Sequence, residues 1–281
     1  MSKGTDYIMA APGAFEARSW GDEFRGRKVV LTGACGVLGR WIADAFAQVG
    51  ARLCLSDREG AGLRALADAL GISERGGLTH RTELTDATSI DSLVADVGEA
   101  WGAPDVVVNN AGVYPSGFLI DIDAAEWDRI LGVNLRAPFL ISRGFARQMI
   151  AARQPGNIVN ISSGAARKMR RTVAPYCLSK TALDRLTKGF ALELAEFGIR
   201  VNAVEPGFAP GSTASPLTPA HVDATLGQIP LGRGTTQADV ANAILYLCSA
   251  KGGYVTGATL SVDGGNSIGS LAVYQDKKRP G

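Results

Sequence analysis

The chain has 281 residues, of which 46% are hydrophobic and 20% charged, and these proportions exclude wholesale disorder. The formal net charge of +2 at pH 7 gives no electrostatic reason to expect a nucleic acid partner. No run approaches the roughly 18 apolar residues that a membrane helix needs, so no membrane segment is expected.

Short apolar runs alternate with longer amphipathic stretches after an N-terminal extension over residues 1–26 that lacks clear periodicity. Valine runs such as Val106–Val108 are apolar on both faces, as buried parallel strands are. The predicted strands are Lys28–Thr32, Arg52–Ser56, Leu78–Thr82, Asp105–Asn109, Asn157–Ile161, Arg200–Val204 and Thr259–Val262. The predicted helices are Leu38–Val49, Ala61–Leu70, Ser89–Trp101, Ala124–Ala151, Pro175–Phe197 and Thr236–Ser249. Repeated βα units with right-handed crossovers predict an α/β fold, a single-domain Rossmann-type doubly wound parallel sheet of about seven strands with helices on both faces.

The number and spacing of the cysteines and histidines bear on whether the chain has disulfides, a metal site or a histidine-based catalytic triad. The four cysteines show no CxxC spacing, and no export signal is visible, so reduced thiols in a cytoplasmic protein are expected. The two histidines, His80 and His221, lie far apart in sequence. Neither a histidine-based metal site nor a Ser-His-Asp triad is therefore expected.

A glycine-rich turn follows the first predicted strand and leads into a helix, which is the context of a dinucleotide-binding fingerprint. Gly33 allows the tight turn, Gly36 lets backbone amides approach a pyrophosphate, and Gly39 lets helix and strand pack closely. The helix N-terminus supplies N–H donors and partial positive charge for the phosphates. The alternative is an ordinary βα turn that merely favours glycine.

An acidic residue at the end of the second strand supports the nucleotide interpretation. Asp57 lies near the roughly 20-residue separation from the glycines at which an acid meets the adenosine ribose. A carboxylate there accepts hydrogen bonds from the ribose hydroxyls and repels a 2′-phosphate, which favours NAD over NADP. The alternatives are a phosphate clamp by Arg58, a solvated turn acid, or an N-cap for the next helix.

Tyr176 and Lys180 lie four residues apart near the start of a predicted helix and therefore on one helical face. A free phenol has a pKa of about 10 and is a poor base at neutral pH. A nearby ammonium is expected to lower that pKa, so that the phenol can take a proton from an alcohol or give one to a ketone.

Several motifs in one order resemble the classical short-chain dehydrogenase/reductase family across roughly residues 27–266. The matching segments are Thr32-Gly33…Gly39, Asn109-Asn110-Ala111-Gly112, Asn134, Asn160-Ile161-Ser162-Ser163, Tyr176…Lys180, Pro206-Gly207 and Val262-Asp263-Gly264-Gly265. The resemblance implies that residues 27–266 form a dinucleotide-binding catalytic domain, followed by a C-terminal tail over residues 267–281.

The resemblance also implies roles for individual residues. Tyr176 matches the general acid/base, Lys180 its pKa tuner, Ser163 the serine that steadies the substrate oxygen, and Asn134 the residue of the proton relay that bends its helix. The residues expected to bind the cofactor are Gly33, Gly36, Val37, Leu38, Asp57, Glu83, Leu84, Asn110, Ala111, Gly112, Tyr176, Lys180, Pro206, Gly207 and Ala209.

The chain departs from the family pattern at two places. The glycine turn reads TGxxGxxG, with Val37 where the middle glycine of the TGxxxGxG pattern stands. After Pro206-Gly207, Gly211 stands where a threonine commonly contacts the carboxamide, and Ser212 or Thr213 is expected to take its place.

Two loops bear on the substrate. Four cations stand in five positions at Arg167–Arg171, and they indicate either an anionic substrate held by an arginine or a solvated or interface loop. Residues 208–234 are rich in Pro, Ser, Thr and Gly and are expected to form a substrate lid, with a short helix near Pro219–Leu226. The resemblance further implies a homotetramer.

The sequence therefore predicts an NAD-dependent oxidoreductase that interconverts a secondary alcohol, or a cyclic diol, and its ketone by hydride transfer. Its partner would be a small-molecule alcohol or ketone. One alternative is an NADP-dependent carbonyl reductase that places Arg58 or Arg40 on the 2′-phosphate. Another is a catalytically silent NAD-binding regulatory protein, because fold alone does not fix function.

Overall fold

Runs of valine, leucine and isoleucine form the strands of the structure, a computed structural model that describes residues 14–210, 218–269 and 271. The strands are β1 (Lys28–Thr32), β2 (Arg52–Asp57), β3 (Leu78–Arg81), β4 (Val106–Asn109), β5 (Gly156–Ile161), β6 (Ile199–Pro206) and β7 (Thr259–Val262). They form one parallel sheet in the order β3-β2-β1-β4-β5-β6-β7. The predicted fold class is confirmed, with strand ends shifted by one or two residues.

Helices cover both faces of the sheet because neighbouring strand residues point to opposite sides. The helices are α1 (Val37–Gln48), α2 (Gly60–Ala69), α3 (Ala87–Trp101), α4 (Ala124–Leu131), α5 (Ala137–Ala151), α6 (Ala174–Leu194), α7 (Pro219–Leu226) and α8 (Gln237–Cys248). Val29 and Leu31 of β1 pack with α1, α2 and α8. Val30, between them, packs with α3, α5 and α6 on the other face.

The long helix predicted over Ala124–Ala151 is interrupted, and that prediction is corrected here. Five residues, Gly132–Arg136, form a π-helical turn between α4 and α5. Pro138 has no N–H to donate to the carbonyl of Asn134, so the α-helical hydrogen-bond pattern cannot continue there. The π turn carries Asn134 into the interior, where it is fully buried.

Residues just before β1 pack onto the sheet layer. Phe24 is fully buried, and its ring meets Phe46 of α1 edge-on at 5.8 Å between centroids. Trp20 packs against Phe24 with a centroid separation of 6.1 Å. This part of the residue 1–26 extension therefore covers one end of α1. In the described parts of the chain, no helix combines the length and the apolar character that a membrane crossing requires.

The strand order reverses between β1 and β4, which are hydrogen-bonded neighbours although they do not follow one another in sequence. In an open parallel sheet, a crevice forms outside the carboxyl ends of the strands at such a switch point. The loops after β1, β2, β4 and β5 all leave the sheet at this edge. The fold therefore brings the sequence-predicted motifs together there.

Candidate active site

A cleft of about 710 Å³ lies at the switch point. Most of the residues predicted to bind a cofactor line it: Gly33, Gly36, Val37, Leu38, Asp57, Glu83, Leu84, Asn110, Ala111, Gly112, Tyr176 and Ala209. A cleft of this size at this place matches the usual dinucleotide site of a doubly wound sheet.

The glycine turn is shaped by close backbone contacts. Gly33 has φ +65, and a Cβ there would lie 2.7 Å from the Cα of Ala111. A Cβ on Gly39 would lie 2.0 Å from the carbonyl oxygen of Gly33. Side chains are thus excluded at both positions by neighbouring backbone. These two glycines hold the loop after β1 against both α1 and the loop after β4.

The N-terminus of α1 is open to a ligand. Gly36 is the N-cap residue, and no side chain caps the helix, which leaves backbone N–H groups of the first turn for another acceptor. A Cβ on Gly36 would meet only the Gly33 carbonyl oxygen, at 3.5 Å. Val37 is the first helical residue, so its backbone starts the helix. The departure from the family glycine pattern therefore leaves the anion-binding geometry in place.

The carboxylate of Asp57 is fixed at the edge of the cleft. Its Oδ2 accepts a hydrogen bond from the backbone N–H of Cys35 at 2.9 Å, and its Oδ1 accepts one from Glu59 at 3.1 Å. Glu59 and Arg58 also line the cleft, and Arg58 lies 3.6 Å from the Glu59 carboxylate. Two acidic residues, Asp57 and Glu59, thus lie at the edge of the cleft where β2 ends.

Asn110 ties the loop after β4 to the glycine turn. Its side-chain amide donates to the carbonyls of Thr32 and Gly33, at 3.0 and 2.9 Å. The Thr32 hydroxyl in turn accepts from the backbone of Asn110 and Ala111. The uncapped helix, the open space at Gly36 and the Asp57 carboxylate together fit a dinucleotide.

Tyr176 stands at the inner end of the cleft, on α6. The Ser163 hydroxyl, at the start of the loop after β5, lies within hydrogen-bonding reach of the phenol and lowers its pKa, but burial has the larger effect and raises the pKa of Tyr176 to about 12. The lowering of this pKa that is expected from Lys180 is outweighed in the geometry described, because desolvation of the phenolate dominates. Ser163 and Tyr176 are nevertheless brought together as predicted from the motif order.

Lys180 lies behind Tyr176, one helical turn further along α6. Its Nζ lies 5.7 Å from the centre of the Tyr176 ring and donates to the carbonyl of Ile161 at 2.7 Å. The side chain is almost fully buried. Burial lowers the pKa of Lys180 to about 8, while the charge of Asp184 opposes the shift.

Asn134 holds the loop after β4 rather than facing the cleft. Its Oδ1 accepts from the Val113 N–H at 2.8 Å, and its Nδ2 donates to the Val113 carbonyl at 3.0 Å. The same Nδ2 lies 3.1 Å from the Ser179 hydroxyl. A Cβ on Gly112 would lie 3.5 Å from Asn134 Oδ1 and 3.6 Å from Lys180 Nζ. Asn134 and Lys180 are therefore neighbours beneath the cleft floor.

Two of the residues predicted to bind the cofactor, Pro206 and Gly207, do not line the cleft. Pro206 ends β6, and the N–H of Gly207 donates to the carbonyl of Val262, so both belong to the sheet edge and lie outside the cleft lining. The proposed carboxamide contacts at Gly211–Thr213 fall outside the described residues.

Sequence reasoning missed one aromatic contact in the site. The ring of Tyr114 meets the ring of Tyr176 edge-on, with centroids 4.5 Å apart. The two residues are remote in sequence, so no local spacing indicates this pair. Only the position of Tyr114 directly after the Asn110–Gly112 motif and Val113 could have drawn attention to it.

The family model described as "Enoyl-(Acyl carrier protein) reductase" matches residues 33–267 of the chain. Galactitol 2-dehydrogenase of Agrobacterium fabrum is 32% identical over 248 residues, which are 84% of this chain and 96% of that protein. Trans-4-hydroxycyclohexanecarboxylate dehydrogenase of Sinomonas cyclohexanicum is 34% identical over 255 residues, or 89% and 96% of the two chains.

A solved structure shows the same fold. The 3-ketoacyl-(acyl-carrier-protein) reductase from Brucella melitensis, complexed with NADH, superposes with a TM-score of 0.77 and 31% sequence identity. The alignment covers 87% of this chain and all of that one.

Proposed function

The chain belongs to the short-chain dehydrogenase/reductase family of oxidoreductases, and we propose that it interconverts a secondary alcohol, or a cyclic diol, and its ketone with NAD. The observation that carries the proposal is that Tyr176 lines a cleft that fits a dinucleotide and has Ser163 and Lys180 beside it. The four predicted catalytic residues, Asn134 included, are the residues we propose for the reaction.

Each protein group has a defined task in the proposed reaction. When bound, NAD supplies the hydride acceptor at C4 of its nicotinamide. In alcohol oxidation, Ser163 orients the substrate hydroxyl and Tyr176 takes the hydroxyl proton as the phenolate, a form that needs nearby positive charge because burial raises the pKa of the phenol to about 12. The Lys180 ammonium supplies positive charge behind the phenol. Asn134 holds the loop beside them through Val113.

The cofactor preference rests on the charges near the ribose position. Asp57 and Glu59 both line the cleft, and like charge disfavours the 2′-phosphate of NADP. The cations named for the NADP alternative are partly engaged: Arg58 lies by Glu59, and Arg40 Nε donates to the Cys35 carbonyl at 3.0 Å. The bound NADH of the Brucella melitensis reductase agrees with this preference.

The substrate class takes support from the relatives. Galactitol 2-dehydrogenase and trans-4-hydroxycyclohexanecarboxylate dehydrogenase are named for an open-chain polyol and a cyclic hydroxy acid. Both substrates carry a secondary hydroxyl, which is the group that the proposed site oxidises.

The proposal extends to domain layout, location and assembly. We assign residues 27–266 to one catalytic domain and residues 208–234 to its substrate lid. We also propose that the protein is a cytoplasmic homotetramer.

An apolar groove of about 1020 Å³ between α4, α5 and α6 supports the assembly into a tetramer, because large exposed apolar surfaces usually mark interfaces. Leu131, Leu135, Phe139 and Leu186 are among the residues that line it.

The test is NADH production at 340 nm across a panel of polyols, cyclic diols and cyclic hydroxy acids, with NAD and NADP titrated separately by fluorescence. We expect turnover with NAD, and a loss of about 10²- to 10⁴-fold in kcat for Tyr176→Phe, which removes the acid/base group. NAD affinity should stay within twofold in that variant. Tighter binding of NADP would overturn the cofactor assignment, and turnover unaffected by Tyr176→Phe would overturn the mechanism.

A further inference from the structure

Two loops close to Tyr176, the loop after β4 and the loop after β5, are joined to each other. The N–H of Gly117, in the loop after β4, donates to the carbonyl of Thr172 at 2.7 Å. The guanidinium of Arg171 lies over the Phe118 ring at 5.1 Å. The cation-rich segment Arg167–Arg171 is therefore tied to the loop whose Tyr114 ring meets Tyr176, and it would form one wall of a substrate space in front of Tyr176.

Three of the four cations in this segment already have partners. Arg167 Nε lies 2.8 Å from the buried Glu205 carboxylate, and its Nη2 bonds the Ser261 hydroxyl. Lys168 Nζ donates to the carbonyl of Asn266 at 3.0 Å. Arg171 is stacked on Phe118. These contacts hold the three side chains in place, and Arg167 is neutralised by a carboxylate.

Arg170 differs from the others. Among the described residues, its guanidinium has no hydrogen bond, ion pair or aromatic partner, yet the residue is half-buried. Its carbonyl accepts from the N–H of Val173, and Val173 packs against Tyr176. The charge of Arg170 acts on the phenol and lowers its pKa. An unpartnered guanidinium whose charge reaches the acid/base residue can pair with an anionic group of a ligand.

The rest of the wall is apolar. Tyr114, Phe118 and Leu119 on one loop, and Met169 on the other, are exposed to between 43% and 61%. Exposed apolar side chains beside an unpartnered cation suit a molecule with an apolar body and one anionic end. They suit a freely hydroxylated polyol poorly, because its hydroxyl groups would lose water without gaining partners.

We propose that Arg170 binds a carboxylate on the substrate, so that the enzyme prefers an apolar secondary alcohol that carries an acid group over its neutral counterpart. This inference rests on the proposed function, since it places the reacting hydroxyl at Tyr176. The guanidinium would form a bidentate pair with the carboxylate, and the apolar wall would cover the carbon skeleton.

The experiment compares 4-hydroxycyclohexanecarboxylate with 4-hydroxycyclohexanecarboxamide, which differ in charge and little in shape. With saturating NAD, we expect the native enzyme to favour the carboxylate in kcat/KM by about 10- to 100-fold, the range of a charged hydrogen-bonded pair. Arg170→Gln should abolish that preference, and Arg170→Lys should restore part of it. Lys168→Gln is the control, because it removes a neighbouring cation that bonds the carbonyl of Asn266. This variant should keep the preference for the carboxylate over the carboxamide.

A binding measurement separates failure of this inference from failure of the proposed function. Cyclohexanecarboxylate, which has no hydroxyl to oxidise, is titrated calorimetrically into the NAD-saturated native protein and into each variant. If the native protein binds cyclohexanecarboxylate and Arg170→Gln does not, the inference is supported. If neither alcohol is turned over in the same experiments, only the proposed function is overturned. Equal use of acid and amide, with no binding of cyclohexanecarboxylate, overturns the inference and leaves the oxidoreductase proposal standing. If Arg170→Gln lowers kcat/KM equally for the acid and the amide, Arg170 acts on the pKa of the phenol and not on the carboxylate, which also overturns the inference.

Discussion

The ring of Tyr114 meets the ring of Tyr176 at 82°, with centroids 4.5 Å apart. An edge-to-face pair of this kind contributes about 0.5–1.5 kcal/mol beyond the area that it buries. The contact joins the loop after β4 to the residue proposed as acid/base. It limits the orientations that the phenol ring can adopt.

The first prediction follows from this pair. Tyr114→Ala should lower kcat/KM by about two- to tenfold, which corresponds to the energy of the aromatic contact. Tyr114→Phe keeps the ring edge and should stay within twofold. Steady-state kinetics with the best alcohol of the panel measures both variants. A loss in Tyr114→Phe as large as that in Tyr114→Ala would show that the hydroxyl, not the ring, matters.

Asp57 should control the choice between the two cofactors. Asp57→Asn keeps an oxygen for the Cys35 N–H, seen at 2.9 Å, but removes the charge that faces a 2′-phosphate. We expect the preference for NAD over NADP, measured as the ratio of kcat/KM values at low salt, to fall about tenfold or more. Asp68→Asn, on the exposed face of α2, is the matched control and should leave the ratio unchanged. An unchanged ratio in Asp57→Asn would remove the carboxylate from cofactor selection.

Two glycines of the same turn should respond differently to alanine. At Gly39 the new Cβ would lie 2.0 Å from the Gly33 carbonyl oxygen, so Gly39→Ala should lower the free energy of unfolding by about 1–3 kcal/mol or more. At Gly36 the nearest atom is 3.5 Å away, so Gly36→Ala should fold normally and bind NAD about tenfold more weakly. Urea unfolding and fluorescence titration separate the two effects. Equal stability of the two variants would contradict the geometry.

Lys180 should make stability depend on pH. Burial lowers its pKa from 10.5 to about 8. Below pH 8 the lysine is charged in both the folded and unfolded states, and the folded state bears a desolvation cost of about 3 kcal/mol. Between pH 8 and 10.5 only the unfolded state keeps the proton, so this cost is relieved as the pH rises.

Lys180→Met removes that dependence. The free energy of unfolding of the variant minus that of the native protein should be largest near pH 7 and should fall by about 3 kcal/mol towards pH 10.5. Because the other groups titrate in both proteins, their contributions cancel in the difference. Urea unfolding at three pH values measures it. A difference that does not change with pH would show that the lysine is not desolvated.

The sequence was sufficient for the sheet and for most of the cleft. Parallel strands buried on both faces need continuous apolar runs, so Val106–Val108 could be recognised without knowing their neighbours. The glycine turn is equally local, because a positive φ at Gly33 and close backbone at Gly39 leave room for no other residue. Such features depend on a few consecutive residues.

The features that sequence reasoning missed depend on contacts between distant segments. The pKa of Tyr176 is set mainly by burial, which arises only when the loops fold over α6. The apolar pattern of Ala124–Ala151 is compatible with an uninterrupted helix, although Pro138 and the bend expected at Asn134 both indicate an irregularity. The form that it takes, a π turn in which Asn134 bonds the backbone of Val113, depends on the loop after β4 and cannot be read from spacing along one element.

The π turn at Gly132–Arg136 has a consequence for changes in chain length. A π turn amounts to one residue inserted into an α-helix, and each α-helical residue turns the chain by about 100°. Deleting Leu135 would restore regular winding but rotate α4 against α5 by that angle. The deletion would either break the hydrogen bonds between Asn134 and the backbone of Val113 or turn the apolar face of one helix away from the sheet. This segment should therefore accept substitutions in evolution while resisting insertions and deletions.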